Sequence, residues 1–336
     1  MTTFADQVKQ FGGSPVGGLP YSWLQGPQGD VFFVSPYRTA SATSGVGNDG
    51  NPGTFDRPMK TVLAAYNKCT DGKGDIIYVM GNANAAADIT DDLSATLTWA
   101  KNAVHLIGLC SPSMVSQRAR LAQLSTATAL SPLLNVTGNS CTFANFQIFQ
   151  GVDDATSLIN VQVTGQRNYF DNVHFAGIGH ATMSAAGCAS LNLEGGSENV
   201  FKNCVFGVDT ITQDADGRNV TVDGSASRNL FEDCLFQSFI SATGAGHVEI
   251  VDGTGMDRWL WFKNCLFVSE SVNKTVDMAE VFILPASVTQ GKIILQNCYA
   301  MNDGGAPVWT AGTEGVIWAG MPTTAASAGG GLMTNL

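Results

Sequence analysis

A chain of 336 residues with 38 Gly, 13% charged residues and 9% aromatics has the profile of an ordered, turn-rich, all-β protein, long enough for one continuous repeat-built core. Its net charge of -11, with only 17 Lys and Arg, argues against the clustered cations that a nucleic-acid partner needs. The start MTTFADQVKQFGG lacks a signal peptide's basic and apolar regions, and no run of about 18 apolar residues marks a membrane span, so a cytosolic, non-membrane product is expected.

Residues 1–30 are punctuated by Gly and Pro, with isolated Phe4, Phe11, Tyr21, Trp23 and Leu24. This pattern suits an arm that either anchors on a neighbouring subunit or folds back on its own helix. Residues 31–83 then read as a strand, a Gly/Asn/Asp loop, a short helix in RPMKTVLAAYNKC and a buried strand, GDIIYVM. Pro58 stands near the helix start, with Val62, Leu63 and Tyr66 on one face. Such a helix covers the open end of a solenoid, which otherwise exposes unpaired backbone.

From residue 143 one phrase recurs: FANFQI, FDNVHF, FKNCVF, FEDCLF, FKNCLF and LQNCYA. Its third letter is Asn145, Asn172, Asn203, Asp233, Asn264 or Asn297, at intervals of 27, 31, 30, 31 and 33 residues. A second phrase precedes most copies and ends in Gly138, Gly165, Gly195, Gly224 or Gly253. Each unit is therefore an alternating strand, a glycine turn, a second strand, an Asx bend and a third apolar stretch. That is one coil of a parallel β-solenoid.

The bend is read from parity. Phe201 and Asn203 share one side of a strand, yet Cys204 and Phe206 also share a side, so the alternation slips by one residue at Asn203. Asn and Asp tolerate the left-handed backbone that a tight corner demands. Stacking then puts the six Asx side chains in a structural ladder in which amides bond the coils above and below. Cys204, Cys234, Cys265 and Cys298 follow the bend and should point inward as buried free thiols beside Phe206, Phe236, Phe267 and Ala300. No CxxC or Cys/His cluster marks a metal site, and no cofactor is expected.

The order strand, GNDGNPGT, RPMKTVLAAYN, GDIIYV resembles the N-terminal cap of right-handed parallel β-helix proteins of the pectin-lyase-like superfamily. LTWAKNAVHLIGLCSPSMVSQRARLA, CTFANFQIF and RNYFDNVHFAGIGHA look like a group of bacteriophage virion proteins, and the likeness runs over roughly residues 11 to 300. It implies three segments: an arm (1–30), a capped right-handed parallel β-helix (31–300) and a C-terminal segment and tail (301–336) that includes Trp309 and Trp318. It also implies a capsid decoration (cement) subunit, homotrimeric, on the virion surface, with the major capsid protein as partner. The alternative is a tailspike or fibre domain that binds or cleaves host polysaccharide through loops such as 207–219 and 268–280.

Enzymes of polygalacturonase type pair Asp residues with a downstream His and an Arg-x-Lys. Asp153, Asp154 and His180 come nearest to that set, without the Arg-x-Lys. Asp214, Asp216 and Gly217 have spacings seen in calcium loops but lack the later Glu, so a solvated loop is the reading there. His174 alternates outward from its strand and is expected on the surface. No catalytic residue, and no enzyme activity, is expected.

Overall fold

The computed structural model describes residues 29–36, 47–81, 91–177, 185–303, 307, 309–310 and 316–319. These form a right-handed parallel β-helix whose strands lie in three sheets, all paired in parallel. The first sheet has ten strands from Val31–Val34 to Ile317–Ala319, the second has nine and the third has seven. One coil runs from a first-sheet strand such as Val200–Lys202, through the Asx corner, to a second-sheet strand, Val205–Phe206. It then passes through a long loop to a third-sheet strand, Arg218–Asp223, and turns into the next coil at Ala226–Glu232.

Parity selects the core. Phe143, Phe170, Phe201, Phe231 and Phe262 are fully buried and stack with ring centroids 4.7–4.8 Å apart, the spacing of adjacent strands. Beyond the corner, Phe175, Phe206, Phe236 and Phe267 form a second stack at 4.5–4.9 Å. Edge-to-face contacts such as Phe201 with Phe206 lock the two stacks together. Each ring contributes roughly 2–3 kcal/mol by leaving water.

The cap helix, α1, spans Val62–Lys68 and begins later than Pro58 suggests. Thr61 is the N-cap and accepts from the Ala64 N–H, while the Asp49 carboxylate accepts from the Lys60 and Thr61 N–H groups. Val62, Ala65 and Tyr66 face the core; Leu63, expected on that face, is 50% exposed because it lies a quarter-turn past Val62. The Tyr66 ring sits 4.5 Å from Trp99, and its hydroxyl accepts from the Ala100 and Lys101 N–H groups at 2.6 and 2.7 Å. At the opposite end Trp309 packs edge-on against Phe267. No helix among the described residues is long and apolar enough to cross a membrane.

Candidate functional site

The Asx corner is built by backbone conformation. Asn145, Asn172, Asn203, Asp233, Asn264 and Asn297 all hold φ between 52° and 57°, in the left-handed region. Their side chains do not form an unbroken ladder. Asn172 donates to Asn145, Asn264 to Asp233 and Asn297 to Asn264 at 2.9–3.2 Å, but the column is interrupted between Asn172 and Asp233. Asp233 has no side-chain N–H to offer Asn203, and the Asn172 Oδ1 is occupied by the Gln117 amide at 3.1 Å. Asn203 turns instead to the Asp171 carboxylate at 3.0 Å.

Gln117 belongs to a loop that leaves the first sheet after Leu109 and lies over the corner. Cys110, Pro112 and Met114 of this loop, with Asn172, Asn203 and Asp233 below, enclose a half-open cleft of about 510 Å³. Met114 exposes 58% of its surface on the cleft's lip. The lining below the loop mixes Asn145, Asp171, Asn172, Asn203 and Asp233 with the apolar Ala144, Val205 and Leu235. Cys204 lies beneath the floor, its thiol donating to the Lys202 carbonyl at 3.2 Å.

All eight cysteines are free. Cys204, Cys234 and Cys265 are buried, and burial pushes the Cys234 thiol well above its ordinary value, so it is held as the unreactive S–H form. Cys298, expected to be buried, is half-buried because it stands near the end of the stack, and its neighbour Ala300 is likewise partly exposed.

The His174 reading is corrected by the same loop. Its side chain does point out of the second sheet, but it is only 3% exposed, because residues 114–117 roof it. Its Nδ1 accepts from the Ser116 N–H and meets the Gln147 amide, each at 3.1 Å, and its Nε2 donates to the Gly207 carbonyl at 2.9 Å. Burial drives its pKa from 6.5 down to about 4. His247 is treated alike, buried against Asn219 at 2.9 Å and lowered to about 3. Both rings are neutral: His174 staples its coil to the loop, and His247 joins its strand to that of Asn219.

A buried asparagine column escaped the sequence reading. Asn168, Asn199 and Asn229 are no more than 1% exposed. Asn199 Oδ1 accepts from the Asn168 N–H at 2.9 Å, Asn229 Oδ1 from the Asn199 N–H at 3.0 Å, and their amides donate to Gly138, Gly165 and Gly196 carbonyls of the preceding turns. The signal was present, since NYF, NVF and NLF each place Asn two residues before a core Phe.

Groups with catalytic precedent serve as anchors. Asp154 accepts from the Ala129 N–H, the Ser157 hydroxyl and both the N–H and hydroxyl of Thr156, which hold its carboxyl far below the usual range. Arg218 is 7% exposed and bonds Glu249 at 2.9 Å and the carbonyls of Ala215, Gly217 and Gly244. Asp214 closes its own turn, accepting from the Ala215 N–H through its carboxylate and from Gly217 through its carbonyl. Among the described residues no cluster of His, Cys, Asp and Glu is arranged to hold a metal. His180 and the arm residues Phe4, Phe11, Tyr21, Trp23 and Leu24 lie outside the described residues, as does the Trp318 side chain.

The sheets, the Asx corner and the capped end define a right-handed parallel β-helix. Among solved structures, it is similar to the pectate lyase Pel9A, with 16% identity, 81% of this chain and 63% of that chain covered, and a TM-score of 0.56. Pectin methylesterase PemA from Erwinia chrysanthemi gives 14% identity, 86% and 80% coverage and a TM-score of 0.48. ORF18 of Geobacillus virus E2 gives 15% identity, 72% and 50% coverage and 0.41. At these identities the likeness is one of fold. No family model and no curated protein sequence matches the chain.

Proposed function

We propose that this protein is a structural component of a bacteriophage particle, a decoration (cement) subunit that binds the outer surface of the capsid and stiffens it. The observation that carries the reading is how the polar groups outside the core are used. Asp154, Arg218 and His174 tie loops to coils, His247 ties one strand to another, and the cleft presents the exposed Met114 beside the Asx corner. A solenoid of this kind supplies rigidity and contact area. The resemblance of residues 97–122, 141–149 and 167–181 to virion proteins supports the same reading, with the major capsid protein as partner.

The test is location combined with mechanics. Antibody labelling of particles from the encoding phage should mark the head, and heads lacking the protein should open at lower temperature than complete ones. Label on the tail, together with depolymerisation of host surface polysaccharide by the purified chain, would replace this reading with that of a tailspike or fibre domain.

A further inference from the structure

On the outward face of the first sheet the early strands bury a second apolar cluster, Phe33, Tyr78, Ile107 and Ala144, on which Tyr169 packs, and Asp171 also lines the cleft; the later strands of this face belong to neither. On three successive strands the face carries a charge, an apolar residue and the opposite charge, spaced two residues apart. The rungs are Arg167–Tyr169–Asp171, then Glu198–Val200–Lys202, then Arg228–Leu230–Glu232. The parallel register sets Tyr169, Val200, Leu230, Trp261 and Ile294 side by side as a half-buried apolar stripe. One charged column flanks it on each side. Within each column the charges pair: Glu198 holds Arg167 and Arg228 at 2.7 and 2.8 Å, and Glu232 holds Lys202 and Lys263 at 3.4 and 2.5 Å.

These pairs explain why sign alternates along a column. They leave unexplained why the two columns alternate in opposite phase, and why the left-handed corner positions 167 and 228 carry Arg, at φ of 57° and 54°, where Gly or Asn is cheaper by roughly 1 kcal/mol.

We propose that this face pairs with the same face of a second copy of the chain, the two solenoids lying parallel about a two-fold axis that runs along the stripe. That operation keeps each rung level with itself and exchanges the columns. Arg167 then meets Asp171 of the partner subunit, Glu198 meets Lys202 of the partner subunit, and Arg228 meets Glu232 of the partner subunit, while each stripe residue meets its own copy. The fourth rung falls outside the pattern, because a register shift between Ser227 and Asn229 sets Arg258 and Trp259 against Arg228, and Arg258 turns to its own Asp257. Five strands from Tyr169–Asp171 onward, about 4.8 Å apart and about 15 Å wide, offer on the order of 350 Å² per copy. That is the area of a weak interface, so the dimer should form only at high protein concentration and loosen in salt. A two-fold pair is also a different assembly from the trimer implied by the virion resemblance.

The experiment measures the mass of the full chain by sedimentation from about 1 to 200 µM. The wild type should pass from monomer to dimer. Glu232→Arg and Arg228→Glu should each stay monomeric, since each sets like charges across the interface. Mixed in equal amounts they should form a one-to-one complex, because the two faces are then opposite in sign. Leu230→Cys should give a dimer cross-linked by a disulfide on mild oxidation, which the wild type does not. A wild type that is monomeric or trimeric throughout overturns the inference, as does failure of the two folded charge variants to associate. Absence of the Leu230→Cys cross-link overturns it even where a charge variant does not fold.

Discussion

His174 and His247 are neutral because burial disfavours their charged form, and their pKa values, about 4 and about 3, lie below the 6.5 of an open chain. The unfolded chain therefore binds protons first as pH falls. Stability is complete above pH 6.5 and is lost on the way down to the folded values, by about 3 kcal/mol for His174. Thermal melts should show the midpoint dropping already between pH 6.5 and 4.5, a window in which carboxylates with lowered values, such as Asp154, have not begun to contribute. His174→Gln should make that part of the profile shallower, with His105 and His247, both lowered by burial, supplying the remaining slope; an unchanged slope would remove His174 from the explanation. The corner makes a second prediction at the same scale. At Asn264, with φ 54°, Gly loses only the amide bonds to Asp233 and Asn297, roughly 1 kcal/mol, whereas Ala adds left-handed strain of about 1 kcal/mol more. Denaturant midpoints that place the Ala and Gly variants together would refute the strain argument.

At the scale of elements, what was legible followed from repetition. The parity slip at Asn203 marked the corner, the two Phe columns and the inward thiols, because a stacked coil puts the same position in the same surroundings each time. Segments without the phrase were opaque. The loop over His174 comes from 58 residues earlier in the chain, so outward alternation gave the direction of that side chain but not its cover. Half of the ladder's interruption was legible, since Asp233 has no side-chain N–H to donate; the other half depended on Gln117 reaching Asn172, a contact no spacing announces. The cap lies between these extremes: its helix was legible, and its hinge on Tyr66 was not. Tyr66→Phe should cost roughly 2–3 kcal/mol by leaving the Ala100 and Lys101 N–H groups without their acceptor. Hydrogen exchange should locate the loss in α1 and the first coils. Uniform loss across the solenoid would mean that the cap and body unfold as one unit.

For the whole molecule, a solenoid's stability is a sum of coils and the contacts between neighbours, so length is adjustable in whole coils only. Residues 203–232 are one such unit. Lys202 and Glu232 are register partners, so joining Lys202 directly to Asp233 recreates the entry into the Asx corner that Glu232 makes now. Phe201 would then stack on Phe262 as it now stacks on Phe231, and Phe175 on Phe236 as it now does on Phe206. The deletion removes Asn219 from the contact that holds His247, so the shortened chain should melt lower. It should nevertheless fold, with β-sheet circular dichroism retained and a denaturant slope reduced by roughly a tenth, in proportion to the surface it no longer buries. Deleting only 203–217 should abolish folding, because the half-coil joins the first sheet's strand to the third sheet and moves every later Phe off its stack. Equal behaviour of the two deletions would mean that the coil is not the unit in which this protein is built.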